Sequence, residues 1–181
     1  EKRGMDAKGV FSIPDRPTTV KTRVISNSQH IVRVDEESLV PMSLAETQGF
    51  LNRILELIES EKPNLVLFED YNKGALNEVL IEKVIESCRE NHIPTAVDPK
   101  KENFFAFKGV TLFKPNLKEL AEGLKVDINK KDADSLLNAV NSLEGILENE
   151  ISLITLSEEG VLIKKGETIH HIPAHLRNIS D

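Results

Sequence analysis

The sequence predicts an α/β fold with a mostly parallel central sheet, and three features support this prediction. Short apolar runs typical of buried strands alternate with longer segments whose apolar residues recur at helical spacing. One hairpin of partly alternating residues precedes this alternation, and another follows it. The 181 residues are 39% hydrophobic, which is enough to bury one substantial core. We therefore expect a single domain over residues 1–181.

The first half of the chain predicts a hairpin, a long helix and a strand-helix-strand unit. The hairpin covers residues 19–35 and turns at Asn27-Ser28-Gln29. The long helix begins at Ser43, because Ser43-x-x-Glu46 is a capping box, and Lys62-Pro63 stops it. In the unit that follows, strands are expected at 65–68 and 95–97, with a helix at 79–88 between them.

The second half of the chain continues this alternation and then changes to antiparallel strands. A glycine turn at Lys165-Gly166 joins the last two strands. The expected elements are a strand at 110–113, a short helix at 116–124, a helix with an apolar stripe through 136–147, a strand at 151–154, and an antiparallel pair at 161–163 and 168–170.

The composition argues against several classes of function. Lys and Arg number 23 against 30 Asp and Glu, and the net charge of −7 disfavours binding to nucleic acid. No apolar run reaches the length of a membrane span, and no apolar signal core follows the polar start, so we expect a cytoplasmic protein. The single cysteine, Cys88, lies in an apolar helical repeat and is expected to be a buried structural thiol.

Polar residues follow four of the predicted strands. In an open parallel α/β sheet, ligands gather outside the carboxyl ends of the strands. Carboxylates, amides, hydroxyls and lysines together are suited to binding phosphate and a divalent cation. The four polar segments that follow these strands are Glu69-Asp70-Tyr71-Asn72-Lys73-Gly74, Asp98-Pro99-Lys100, Lys114-Pro115-Asn116-Leu117-Lys118-Glu119 and Thr155-Leu156-Ser157-Glu158-Glu159-Gly160.

Several of these residues also have structural interpretations. Asp70 and Asp98 are typical turn residues, and Asn116-x-x-Glu119 is also a capping box. The sequence contains neither a P-loop nor Gly-x-Gly-x-x-Gly after a strand, so phosphate binding must be built in another way. His170-His171 and His175 do not form a metal-binding set, because adjacent histidines on a strand point to opposite faces, and we expect them at the surface.

In order and spacing, the four polar segments resemble those of the PfkB/ribokinase-like carbohydrate kinases, and the resemblance covers nearly the whole chain. Residues 15–24, followed by 31–35, are similar to the lid segment of the heptose 7-phosphate kinases, which are often fused to an adenylyltransferase. The resemblance implies a ribokinase-like three-layer sandwich with a small β lid at about 17–36. It also implies a homodimer formed through the lid.

The resemblance implies that ATP donates its γ-phosphoryl group, with Mg²⁺, to the anomeric hydroxyl of D-glycero-β-D-manno-heptose 7-phosphate. The product, a 1,7-bisphosphate, serves ADP-heptose and lipopolysaccharide core synthesis. Two alternatives stay open: another PfkB sugar or nucleoside kinase, and a non-catalytic nucleotide-binding module. By the same resemblance, the substrate and phosphate residues are Asp70, Lys73, Lys100, Lys21 and Arg23, the nucleotide residues are Asn116, Glu119, Thr155, Ser157 and Gly160, and the metal residues are Asn116 and Glu119 through water.

Two parts of the family pattern are not found in these 181 residues. One is the Gly-Ala-Gly-Asp segment, whose aspartate is the general base in the family, since Asp181 matches only the aspartate before that segment. The other is the amino-terminal, glycine-rich sugar-binding portion. We therefore expect a partial kinase domain that does not turn over alone, with its catalytic base beyond residue 181.

Overall fold

The computed structural model describes residues 4, 6–27, 29–129 and 132–175. Within these ranges the elements follow the predicted order, and their boundaries lie within a few residues of those expected. They are β1 Val20–Ser26, β2 Gln29–Glu36, α1 Leu44–Glu61, β3 Val66–Glu69, α2 Glu78–Glu90, β4 Thr95–Asp98, β5 Leu112–Phe113, α3 Leu117–Leu124, α4 Ala133–Leu147, β6 Ile151–Thr155, a 3-10 turn at Ser157–Glu159, β7 Val161–Lys165 and β8 Thr168–Ile172.

The main sheet has the strand order β3-β4-β5-β6-β7-β8. Strands β3 to β6 are parallel, and β7 and β8 are antiparallel additions at one side. This arrangement confirms the predicted α/β fold with a mostly parallel sheet. Glu69 pairs with Asp98, and a further bridge joins Asn116 to Thr155. The segments that follow the four parallel strands therefore meet at one edge of the sheet, as predicted.

Two pairs of helices pack with the sheet to form the core. Helix α1 contacts α2, and α3 contacts α4. The predicted capping box at Ser43 is present, and α1 ends at Lys62 in the left-handed conformation before Pro63. Among the largest fully buried side chains are Phe104, Phe107, Phe113, Leu80, Ile81 and Leu143. None of the described helices combines the length and the apolar character that a membrane span needs.

Cys88 is fully buried in this core, which confirms the structural role expected for it. Burial disfavours the thiolate and raises the pKa of the Cys88 thiol above its ordinary value of 9.0. The side chain therefore stays protonated at neutral pH and behaves as a small apolar residue.

Strands β1 and β2 form a separate two-stranded sheet, called here the hairpin, at the predicted position. Part of its predicted turn, Ser28, lies outside the described residues, as does Asp181. Every residue of β1 and all but one of β2 are exposed. Because cross-strand partners share a face, one face carries valines and the other carries charges. The valine face consists of Val20, Val24, Val32 and Val34 with Thr22, and it ends at Glu36, the partner of Val20. The charged face includes Lys21, Arg23, Arg33 and Asp35.

Candidate functional site

A cavity of about 380 Å³ lies at the base of the hairpin, and the loop after β3 forms much of its wall. The cavity brings together three of the predicted substrate residues, Lys21, Asp70 and Lys73. Arg23 lies two residues further along β1, on the same face as Lys21. The complete lining is Thr19, Lys21, Glu69, Asp70, Tyr71, Lys73, Ala75 and Leu76.

The carboxylate of Asp70 shapes this loop. Asp70 is only 4% exposed. Its Oδ1 accepts a hydrogen bond from the backbone N–H of Asn72 at 2.8 Å, and its Oδ2 accepts one from Nδ2 of Asn103 at 3.0 Å. Asn72 takes the left-handed conformation with φ 51°. The turn role considered for Asp70 is therefore observed, and contact with a substrate stays a prediction.

Two carboxylates from the end of the hairpin neutralise the lysines of the cavity. Lys73 Nζ donates to Glu37 Oε1 at 2.5 Å, and Lys21 Nζ lies 3.2 Å from Asp35 Oδ2 and 3.6 Å from Glu37 Oε2. The hydrogen bond from Lys73 lowers the pKa of the Glu37 carboxyl below its ordinary value of 4.5. Burial opposes ionisation of Asp35, but Lys21 and Arg33 outweigh it, and the pKa of Asp35 falls below 3.8. Both carboxylates are ionised at neutral pH.

Arg16 ties the two ends of the hairpin to the same loop. Its guanidinium donates from Nη1 to the carbonyl of Val40 at 2.7 Å and from Nη2 to the carbonyl of Lys73. Beside this contact, the N–H of Met42 donates to the carbonyl of Gly74 at 3.0 Å. Gly74 has φ 74°, and a Cβ added there would lie 2.5 Å from the Val40 carbonyl oxygen. The loop after β3 is therefore the anchor of the hairpin.

A second cluster of charges lies at the carboxyl ends of β4 and β5. Lys114 Nζ lies 3.0 Å from Asp98 Oδ2. Lys100 Nζ lies 2.6 Å from Glu119 Oε1 and 3.6 Å from Asp98 Oδ1. Burial disfavours the charged form of Lys100, but the hydrogen bond and charge of Glu119, together with Asp98, raise the pKa of Lys100 above 10.5. The structure thus joins two lysines and two carboxylates in one group.

Asn116 and Glu119 connect this cluster to the first turn of α3. The N–H of Glu119 donates to Asn116 Oδ1 at 2.8 Å, and the N–H of Asn116 donates to Glu119 Oε2 at 2.9 Å. This reciprocal pair is the capping box considered from the sequence. Since Glu119 contacts Lys100 through its other oxygen, one carboxylate both caps the helix and holds a lysine.

Asn116 and Glu119, the predicted metal residues, have oxygen donors that could hold a hydrated magnesium ion only through water, because these oxygens already accept hydrogen bonds within the chain. The described ranges contain no group of three or more His, Cys, Asp or Glu side chains arranged to hold a metal ion. Asn116 and Glu119 supply one amide oxygen and one carboxylate, and both already cap the helix. Mg²⁺ characteristically keeps several waters and is held by few carboxylates together with substrate phosphates.

Three of the predicted nucleotide residues, Thr155, Ser157 and Gly160, lie at the end of β6 and in the turn after it. The N–H of Thr155 donates to the Pro115 carbonyl at 3.1 Å, which places Thr155 beside Asn116. Ser157 begins the 3-10 turn with φ 56°, and Gly160 ends it with φ 96°. A Cβ added at Gly160 would lie 2.0 Å from the Ile172 carbonyl oxygen. Close packing against the chain after β8 therefore explains this glycine without any ligand.

An apolar cavity of about 370 Å³ adjoins this turn. His171 lies at its border, on the exposed strand β8, with Nε2 2.8 Å from the Glu159 carbonyl oxygen. No local sequence signal indicates this cavity, because its walls come from four separate elements and from the turn. They are Leu117, Ala133, Leu136, Leu137, Leu156, Glu159, Leu162, Ile169 and His171.

Curated relatives of this chain share its sequence over almost its whole length. The bifunctional protein HldE of Geobacter metallireducens is 36% identical over 180 residues, which are 99% of this chain and 36% of the relative. HldE of Geotalea uraniireducens is 37% identical over 183 residues, and HldE of Helicobacter hepaticus is 34% identical over 183. The chain spans about a third of the length of these relatives.

Solved structures with low sequence identity share the fold. Phosphofructokinase-2 from Escherichia coli in complex with potassium aligns with a TM-score of 0.69 at 14% identity, over 90% of this chain and 52% of that chain. Ribokinase from Giardia lamblia aligns with a TM-score of 0.65 at 14% identity, over 92% and 51%. These alignments confirm the ribokinase-like fold. The family model described as pfkB family carbohydrate kinase matches residues 1–181, and the chain therefore belongs to the pfkB family of carbohydrate kinases.

Proposed function

We propose that this chain is part of an ATP-dependent kinase that phosphorylates D-glycero-β-D-manno-heptose 7-phosphate at its anomeric hydroxyl. The observation that carries the proposal is the cluster of Lys100, Lys114, Asp98 and Glu119 beside the amino end of α3. A helix amino terminus with adjacent lysines favours phosphate groups. Family membership supports the reaction class, and the hairpin sequence supports the heptose.

In this reaction the anomeric oxygen bonds to the γ-phosphorus while the bond between that phosphorus and the β–γ bridging oxygen breaks, so that ADP leaves. The hydroxyl proton passes to a general base, which the family resemblance assigns to the aspartate of a Gly-Ala-Gly-Asp segment. Lys100 and Lys114 supply positive charge near the transferred group, and Asn116 and Glu119 would hold a hydrated ion through water. When bound, Mg²⁺ neutralises charge on the β- and γ-phosphate oxygens. Positioning and charge neutralisation account for most of the catalysis in such transfers.

The two cavities suit the two substrates. The cavity at the hairpin base offers Lys21 and Lys73 to a sugar phosphate, with Arg23 on the same face of the hairpin. The apolar cavity beside the 3-10 turn suits the flat adenine base, and Thr155 at the end of β6 and Ser157 in the turn would border the nucleotide. The strand-end cluster at α3 then receives the phosphate groups.

The wider role follows from the same proposal. The 1,7-bisphosphate is a precursor for ADP-heptose in lipopolysaccharide core synthesis, in the cytoplasm. A fused adenylyltransferase domain is supported by the relatives, which are named bifunctional and of which this chain spans only about a third.

The test is phosphoryl transfer from ATP by the full-length protein that carries this chain. Heptose 7-phosphate is offered beside ribose, fructose and fructose 6-phosphate, and ADP release is followed in a coupled assay. We expect a kcat/KM for heptose 7-phosphate that exceeds those for ribose and fructose by about 100-fold or more, because these two sugars lack the phosphate that Lys21 and Lys73 would bind. Preference for another sugar would support the kinase activity but contradict heptose 7-phosphate as the substrate. ATP binding without turnover would favour a non-catalytic nucleotide-binding module.

A homodimer through the hairpin is the second part of the proposal. The four valines of its valine face, Val20, Val24, Val32 and Val34, are 47–57% exposed, and a contiguous apolar face on a ribbon is a common interaction surface. Val24→Asp is expected to weaken dimerisation about tenfold or more in sedimentation velocity, because it places a charge in an apolar interface. Ile146→Asp, at a similarly exposed apolar residue of α4, is the control. A monomeric wild type, or equal effects of both variants, would contradict the proposal.

A further inference from the structure

We propose that Glu37 is a positioning residue that competes with the phosphate of the substrate for Lys73 and Lys21. In this scheme the hairpin is held against the loop after β3 until an anionic ligand takes over the two lysines. The inference rests on the proposed function, because it assigns the phosphate of a sugar phosphate to the cavity at the hairpin base.

The charges of the cavity at the hairpin base are already balanced. Its two lysines are only 30% and 33% exposed at the side chain, and carboxylates from the end of β2 and just beyond it already pair with both. Glu37 is 14% exposed and makes the shortest contact, 2.5 Å to Lys73 Nζ. A phosphate therefore meets no unpaired lysine in this arrangement and can bind strongly only by exchanging places with a carboxylate.

The pairing of the Glu37 carboxylate with these lysines is incomplete. Glu37 Oε2 is shielded from solvent and accepts no hydrogen bond in the described part of the chain. Lys21 Nζ lies 3.6 Å from it, too far for a hydrogen bond. A shielded acceptor without a donor costs free energy. A phosphate presents three terminal oxygens and can satisfy both lysines, so the exchange relieves this cost.

The position of Glu37 in the chain connects the cavity to the hairpin. It directly follows β2 and lies three residues before Val40, whose carbonyl Arg16 holds. Releasing Glu37 from Lys73 therefore removes a link between the hairpin and the loop, while the contacts of Arg16 stay in place. Substrate binding and hairpin position are coupled through this one carboxylate.

The test compares Glu37→Gln with wild type in the full-length protein, by calorimetric titration with heptose 7-phosphate and with the unphosphorylated heptose. We expect Glu37→Gln to bind heptose 7-phosphate about three to ten times more tightly, with little change for the unphosphorylated sugar, because only the phosphate competes with the carboxylate. Glu36→Gln makes the same charge change at the neighbouring, exposed position and is the control. It is expected to change neither affinity.

Hydrogen exchange of the hairpin amides without ligand is the second readout. Exchange in residues 20–36 is expected to be faster in Glu37→Gln and unchanged in Glu36→Gln. Weaker binding of both sugars by Glu37→Gln, or unchanged binding and exchange, would overturn the inference and leave the kinase proposal intact. Absence of heptose 7-phosphate binding by the wild type would instead overturn the proposed function, and the competition with it.

Discussion

Replacing Gly160 with alanine is expected to destabilise the domain by about 3 kcal/mol or more, or to leave it insoluble. Gly160 has φ 96° and ψ −132°, a conformation that is strained for any residue with a Cβ. The new Cβ would also lie 2.0 Å from the Ile172 carbonyl oxygen and 2.6 Å from the Ala174 nitrogen. Backbone atoms cannot move aside as a flexible side chain can, so the turn or the chain after β8 must shift.

Substitutions at two other glycines separate the two causes of this destabilisation, which are the backbone conformation and the steric contact of the new Cβ. Gly109 has φ 79° but open space around its Cβ position, so Gly109→Ala reports the conformational cost alone, about 1 kcal/mol. Gly145, within α4, also has open space and carries no positive φ, so Gly145→Ala is expected to be neutral or to stabilise by up to about 1 kcal/mol. Urea unfolding of the three variants measures these differences. A stable Gly160→Ala protein that has lost only ATP binding would show that the glycine serves the nucleotide.

The helices and strands were predictable because each carries its signal within a few residues. The boxes at Ser43 and Asn116 both cap helices as expected. The meeting of the polar segments at one edge of the sheet was also predictable from the alternation of strands and helices, since parallel strands place their carboxyl ends together. The strand expected at 110–113 is shorter, with only Leu112 and Phe113 in the ladder. Val110 precedes the ladder and is fully buried. Its apolar character predicts burial, but it does not show whether the residue also pairs with a neighbouring strand.

The contacts at the hairpin base were not predictable, because they join residues that are far apart in the chain. Glu37 is 36 residues from Lys73, and Arg16 is 57 from it. The local signal was only an acidic stretch, Asp35-Glu36-Glu37, after a basic ribbon, and exposed carboxylates after a strand are common. Which of these carboxylates contacts a lysine depends on the conformation of the loop after β3. Asn103 helps to fix that conformation through its hydrogen bond to Asp70, which is 33 residues away in the chain.

Lys164 is another residue whose burial and partner could not be predicted from the sequence. In the sequence, Lys164-Lys165 is a typical polar end of a strand. In the structure Lys164 is 9% exposed, and its Nζ lies 2.5 Å from Glu144 Oε2 on α4. Ser152 donates to the other oxygen of Glu144 at 2.9 Å. Burial of this lysine depends on a partner that only the packing of α4 supplies, and strand periodicity does not report it.

Glu119→Gln is expected to lower kcat about 100-fold in the full-length enzyme while changing the free energy of unfolding by less than about 1 kcal/mol. Glutamine can still accept the hydrogen bond from the Asn116 N–H, so the capping box is preserved. The variant loses the negative charge that holds Lys100 at 2.6 Å and that would organise a hydrated magnesium ion. Both losses disturb the groups that we propose as the phosphate site.

The chain offers a matched control for this change in its other capping box. Glu46 closes the box at Ser43 with the same geometry, its Oε2 accepting from the Ser43 N–H at 2.7 Å, but it lies at the start of α1. Glu46→Gln is therefore expected to keep both stability and kcat. Steady-state kinetics and urea unfolding of the two variants compare the same substitution in the same motif. If both variants keep full activity, Glu119 is a helix cap and nothing more, and the phosphate site must be sought in other residues.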